Sequence, residues 1–488
     1  MNFLKKINKY IRSKQRIAVL LFAIVVVPFF SGCGEATNST YKVNLEIWGT
    51  FDDSSAYTEI IKQYKLINPY VGEIKFRKFA ENSYQQELID ALASGQGPDI
   101  FLINNGWLPA FENKVEPSPE PLLAEQEMKS SFPDVVASDF LIDGKAYAVP
   151  LSVDSMALYY NKDLFNAAGI TAPPQKWDEF EMDVQKLTKI NPDGTFKISG
   201  AAIGTATNVK KAADLLSLLM FQNGVNLPIK KGTSVKLEEG VMGGDGKIIP
   251  AGEKALGFYT NFSKLNSSSI LSNPLYTWNA RQHYSADAFV EGSVAMIFGY
   301  SWQANEIKKL NPKLNFGTAN VPQVYPDNPV NIANYWAYAV AKNKITSASA
   351  TGKTTVSVTN EMRIHEAWQF LRFLALKNSG NVTLFNAITK NSKEFPINFD
   401  PAITYLTKTK QPAARRDIIE AQKTDVDLAP FVRGNLIAKH WYQVDPQETE
   451  KILIELIEST NRSDSTLREG LTLAGNKINY LSGSRNKR

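Results

Sequence analysis

"KVNLEIWGTFDDSSAYTEIIKQYKLINPYVGEIKFRKFAENSYQQELIDALASGQGPDIFLIN" (residues 42–104) decides the fold. Val43, Leu45 and Ile47 alternate with polar neighbours in period two, the pattern of a half-buried strand, and the run ends in the loop "GTFDDSS". Tyr57, Ile60, Ile61 and Tyr64 then recur at helical spacing until Asn68-Pro69 stops them. "EIKFRKF" is a second alternating strand, and "SYQQELIDALASGQG" is predicted helical, with Ser83 as its N-cap and Gly95 as its stop. "PDIFLIN" is continuously apolar and reads as a buried strand. Strand, helix, strand, helix, strand predicts a parallel α/β sheet with right-handed crossovers.

Upstream, Lys5, Lys6, Lys9, Arg12, Lys14 and Arg16 precede a mostly apolar run from Ile17 to Phe30, the order of an export signal. That run is shorter than the roughly 20 residues that cross a hydrocarbon core. It ends at Cys33, the single cysteine of the 488 residues, and "FSGC" (30–33) resembles the lipobox of bacterial lipoproteins, although Phe30 stands where Leu is usual. The resemblance implies a signal over 1–32, a lipid on Cys33 and a short tether over 33–40. The protein would then be held at the cell membrane by its lipid, facing outward. An uncleaved signal anchor is the other reading.

Removing 1–32 changes the charge. Six of the 54 Lys and Arg lie there and none of the 49 Asp and Glu do, so the remainder carries 48 basic against 49 acidic side chains. A nucleic-acid binder would keep a basic excess, and none survives. With no second cysteine there is no internal disulfide, and some 450 residues exceed the roughly 250–300 that one core supports, so two domains are expected.

"ALASGQGPDIFLIN", "DGKAYAVPLSVDSMALYYNKDLFNAAGI", "PPQKWDEF", "AFVEGSVAMIFGYSW" and "QPAARRDII" follow one another in an order that resembles the extracellular solute-binding proteins of ABC importers, in the maltose-binding-like branch. The resemblance spans nearly everything from residue 41 onward. It implies a two-lobed α/β fold of the periplasmic-binding-protein kind, type II-like, each lobe a mainly parallel sheet flanked by helices, with a hinge between. The expected division is 41–150 with 320–376 for the first lobe and 151–319 with 377–488 for the second. Crossings are expected near Ala148-Val149-Pro150, within 315–323 and after "HEAWQFLRFLAL". The resemblance also implies a monomer, an ABC permease as partner and no cofactor.

Enzymatic chemistry finds little support. His283, His365 and His440 are far apart and belong to no HExxH or CxxC pattern, and there is no GxSxG elbow. Asn191, Asp193 and Gly194 suggest a calcium loop but lack its later acidic ligands, so a turn is expected. The Ser/Thr-rich stretch 344–360 reads as a surface insertion. Carboxylates at glycosidase separation across a cleft would mark the remote alternative, an exported glycoside hydrolase.

A sugar binder needs flat aromatic faces and planar polar groups on loops at the carboxyl ends of strands. Trp48 with Asp52, Asn105 with Trp107, Tyr300 with Trp302, and Trp336 beside Asn334 and Tyr335 supply that pairing at four strand ends. Trp48 could equally plug the sheet; of the adjacent Tyr335 and Trp336 one faces the ligand, and Trp336 is expected to. Asp154 either binds hydroxyls or caps a turn. The family resemblance puts Trp302 at a stacking position and Arg415 near the cleft, where a salt bridge is the alternative. The expectation is capture of a carbohydrate between the lobes and its delivery to a permease. The alternative cargo is a charged solute such as a sugar phosphate, polyamine or peptide.

Overall fold

The computed structural model describes residues 41–244, 246–265, 273–345, 357–378 and 380–485. The basic start, the apolar run, Cys33 and the tether lie outside the described residues, as does most of the Ser/Thr-rich stretch. None of the described helices is long and apolar enough to cross a membrane.

The opening stretch folds as β1 (Val43–Gly49), α1 (Thr58–Ile67), β2 (Val71–Lys78), α2 (Glu81–Ala93) and β3 (Ile100–Asn104). β1 pairs in parallel with both β2 and β3. α2 begins two residues before Ser83: Ala80 is its N-cap, Glu81 lies in the first turn where an acid suits the helix dipole, and the Ser83 hydroxyl turns back to the Ala80 carbonyl (3.4 Å). Gly95 ends it as expected, at φ +70°, which lets the Gln96 amide reach the Ala91 carbonyl at 3.0 Å.

The chain continues through α3 (Asp134–Phe140), β4 (Ala148–Val149), β5 (Ala157–Asn161), α4 (Ala212–Gln222), β6 (Met296–Gly299), α5 (Trp302–Leu310), β7 (Phe316–Asn320), β8 (Asn331–Ile332), β9 (Trp336–Val340), α6 (Asn360–Ala375), α7 (Pro401–Thr409), β10 (Ala438–Lys439) and α8 (Pro446–Arg462). The first sheet runs β2-β1-β3-β9-β4, with β9 antiparallel to both β3 and β4. In the second lobe the three-stranded sheet β6-β5-β7 is antiparallel, where a mainly parallel one was expected. β5 leads the chain away from the hinge and β7 brings it back, so their opposite sense follows from being neighbours. Residues 191–195 form a hairpin turn in which Asp193 accepts from the Thr195 amide (2.9 Å) and hydroxyl (2.6 Å).

Two separate apolar cores define the lobes. One is built from Tyr41–Val153 and Ala333–Ala438, the other from Met156–Ile332 and Trp441–Ile478, with Phe431 alone stepping across into the second. The crossings therefore fall near 154–155, at 332–333 and near 439–440, later than expected in every case. The stretch 377–438, expected in the second lobe, instead puts Val382, Leu384, Tyr405, Leu406, Ile419 and Val432 into the first core. The crossing segments pair with one another: Ser155 bridges Ala333, and β8 runs parallel to β10. Mutual pairing satisfies backbone groups that isolated connectors would leave open.

Arg415 lies in the reassigned stretch. It is 3% exposed and clamps two acids, Asp400 and Asp417, with its Nε 2.6 Å from Asp417 Oδ1. Breaking a buried pair leaves an uncompensated charge. Arg415→Ala should cost roughly 3 kcal/mol in urea unfolding; a loss within experimental error would show that the clamp contributes nothing to the fold.

Candidate ligand cleft between the lobes

The carboxyl ends of β1 and β3 and the amino end of β9 meet at one edge of the first sheet, because Trp336 is the register partner of Asn104. That edge faces the second lobe, where β6 ends at Gly299 and α5 begins at Trp302. Between them lies a cleft of about 300 Å³. Phe51, Asp52 and Trp336 line it from the first lobe, Tyr300 and Trp302 from the second, and Asp154 and Asn334 form its floor at the crossings. The lobes also touch directly outside this cleft, where Gln447 donates to Gln85 (3.0 Å) and Lys231 pairs with Glu112 (3.5 Å).

The aromatic walls are accessible. Trp302 is 40% and Phe51 43% exposed, and the Lys210 ammonium stands 4.2 Å from the Trp302 ring centroid. Trp336 is half-buried, braced edge-on by Phe51 (5.1 Å) and by Trp107 (4.9 Å). Such faces suit stacking on the C–H surfaces of a sugar ring.

The polar groups differ in how much capacity they retain. Asp52 accepts from Tyr57 and Tyr405 (2.7 Å each) and from Gln411 (3.3 Å); burial raises its carboxyl pKa and the tyrosine hydroxyls partly offset this. The Tyr300 hydroxyl donates to Asp214 (2.7 Å), and its carbonyl accepts from Tyr159 (2.6 Å). Asp154 Oδ2 accepts from the Ser301 amide (2.9 Å) and hydroxyl (2.7 Å), whereas its buried Oδ1 makes no hydrogen bond. Burial pushes this carboxyl up to about 7 despite the Ser301 bonds and the nearby Ser155 amide, which lower it.

Four expected site residues, Trp48, Trp107, Arg415 and Asn105, do not line the cleft. Trp48 is 6% exposed on a face of the sheet, 4.3 Å from Phe79 and under the Arg77 guanidinium, with its Nε1 donating to Glu46 (2.8 Å). It is inside its strand, so it points to a face; Phe51 and Asp52 lie past the strand end and reach the cleft. Trp107 stacks on Phe111 (5.8 Å) and backs Trp336 without lining the cleft. Arg415 is spent on its two acids.

Asn105 is buried, linking the Tyr335 amide (3.3 Å) to Asp139 (3.2 Å). It lines a second recess of about 700 Å³ between the lobes, with Asp139, Lys231 and His440. Although larger, that recess has its central carboxylate already engaged: Asp139 also accepts from Tyr335 (2.8 Å) and contacts His440 Nδ1 (2.8 Å). The smaller cleft is the better site, because it combines open aromatic faces with an unengaged carboxylate oxygen. Tyr335 lines the cleft as well as Trp336, but its hydroxyl is directed to Asp139.

Sequence reading missed Glu81, Lys211, Glu306, Tyr338, Tyr405 and Gln411, which also line the cleft. Tyr405 and Gln411 were hidden by the misplaced third crossing. Lys211 carried no signal beyond its chemistry; it adopts φ +62° at the head of α4, and neighbouring Asp214 raises its pKa.

An acid whose pKa is raised by folding weakens the fold once ionised. The penalty from Asp154 is absent below about 4, the unfolded value, grows as the pH climbs, and is complete above its folded value of about 7. Asp154→Asn should therefore melt increasingly above the parent protein between pH 4 and pH 8; a difference that does not vary with pH would contradict this.

Residues 48–378 match the bacterial extracellular solute-binding protein family. A binding protein of Brucella abortus is 27% identical over 384 residues, 78% of this chain and 80% of that one. A maltodextrin-binding protein of Bacillus subtilis is 24% identical over 390 residues, 77% and 80% of the two chains. Among solved structures, the cyclic α-maltosyl-1,6-maltose binding protein of Arthrobacter globiformis superposes with a TM-score of 0.65 at 16% identity, covering 90% of this chain and 99% of that one. With the match extending through both lobes, the chain belongs to the bacterial extracellular solute-binding protein family.

Proposed function

We propose that this protein captures a carbohydrate in the cleft between its lobes and hands it to an ABC permease, without altering it chemically. The observation that carries the reading is the pairing of exposed aromatic side chains, Trp302 and Phe51, with the buried Asp154 carboxylate, one oxygen of which makes no hydrogen bond, in one inter-lobe cleft. Relatives described as maltodextrin-binding and multiple sugar-binding support the carbohydrate class. A ligand touching both lobes binds the closed form better, and that differential affinity drives closure. The ligand contacts are assigned to Phe51, Asp154, Trp302 and Trp336, with Asp52 and Tyr300 positioning the walls. The protein acts as a monomer, needs no cofactor, and is tethered to the outer face of the membrane by lipid on Cys33. The basic start and following apolar run support that tether.

A saccharide held at 100 times its dissociation constant adds about 2.7 kcal/mol to stability, which a thermal-shift panel of mono- and oligosaccharides detects. Trp302→Ala should leave the free protein's melting unchanged and weaken the responding sugar by roughly tenfold. If no saccharide raises the melting temperature while a phosphate or polyamine does, the cargo is charged and not a sugar; recovery of cleaved sugar from the complex would make the protein a hydrolase. For the tether, Cys33→Ser should move the protein from the membrane fraction to the medium. Unchanged membrane association would favour an uncleaved anchor.

A further inference from the structure

Asp154 is 7% exposed, lines the cleft, and leaves Oδ1 without a hydrogen bond. Ser301 holds the other oxygen, so this buried carboxylate has donors on one side only and no counter-charge beside it. A sugar hydroxyl would supply the donor alone. An ammonium supplies both, through a charge-assisted bond.

The surrounding charges point the same way. Asp52, Glu81, Asp154 and Glu306 line the cleft, and Asp214 and Glu450 stand close enough behind to act on Lys211. Against these six carboxylates are Lys211 in the cleft and Lys210 beside it, the latter paired with Glu306 at 3.3 Å. Lys78, near Asp52, is taken up by Asp53 (2.9 Å). The field is therefore negative, which repels phosphate and attracts cations.

We infer that the saccharide taken by this cleft carries a protonated amine, seated at Asp154. The inference rests on the carbohydrate reading and narrows it from sugars in general to amino sugars. Burial pushes the Asp154 carboxyl up to about 7, consistent with a group that lacks a counter-charge within the protein.

Calorimetric titration of the intact protein near pH 7 with matched pairs tests it: glucosamine and glucose, galactosamine and galactose, mannosamine and mannose, and the β-1,4 glucosamine dimer with cellobiose and with its N-acetylated form. In at least one pair the free amine should bind about tenfold or more tighter than its neutral partner. That ratio should shrink towards one in Asp154→Asn and in high salt. Melting of the free variant, expected to be no lower than the parent's at this pH, separates lost recognition from lost folding. If a neutral or acetylated sugar binds as tightly as the amine in every pair, or if the preference persists in Asp154→Asn, the amine inference is overturned and carbohydrate capture stands. If no sugar of either kind binds here or in the thermal-shift panel, both readings fall.

Discussion

Three extended crossings carry the chain between two apolar cores that otherwise share almost nothing, and their hydrogen bonds to one another set the geometry of everything above them. Ser155 with Ala333 and β8 with β10 make a narrow ribbon instead of three separate linkers. A ribbon of paired backbone bends more easily than a packed core shears, so the lobes can move as bodies while the floor of the cleft stays in register. Asp154 and Asn334 stand on that floor, and the Asn334 amide donates to the Asp154 carbonyl at 3.0 Å. A group that must meet ligand in any degree of opening belongs there.

The walls follow from strand direction. Parallel strands put their carboxyl ends at one edge, and the loops beyond them are free of the sheet's own packing demands. Phe51 and Asp52 after β1 are presented for this reason, and Ser301 and Trp302 likewise lie past the end of a strand, β6, although its sheet is antiparallel, whereas Trp48, still within β1, is committed to a face of its sheet. The same logic divides the polar groups into supports and contacts. Asp52, Tyr300, Asn105 and Asp139 are held by partners within the protein, and the cleft keeps its geometry through them. Asp154 holds the Ser301 end of the wall with one oxygen and leaves the other uncommitted.

Much of this was legible in the sequence, and the failures have physical causes. The alternation in β1 and β2 and the helical spacing of Tyr57 to Tyr64 follow directly from one-sided burial, and Gly95 had to terminate its helix because it takes φ +70°. Local patterns do not reveal which core a segment joins. Residues 377–438 are as apolar and as helical as a second-lobe segment would be, and only the packing of Val382, Tyr405 and Ile419 against the first core shows where they belong. The same limit explains Arg415, whose charge looked available until Asp400 and Asp417 were brought beside it. Trp48, for which both readings were open, takes the sheet-plugging one: it is the last aromatic of its strand and adjoins the cleft loop only in sequence. Ser83 failed because a residue with capping chemistry lay one turn inside a helix that begins at Glu81.

A crystal structure of the protein with the saccharide that stabilises it most is the most direct test of the central claim, that the cleft above the paired crossings is where the solute is held. The account predicts a sugar ring against Trp302 or Phe51 with a polar substituent within hydrogen-bond distance of Asp154 Oδ1. A sugar found in the recess beside Asp139 and Lys231, or on the outer surface of one lobe with the cleft empty, would contradict it.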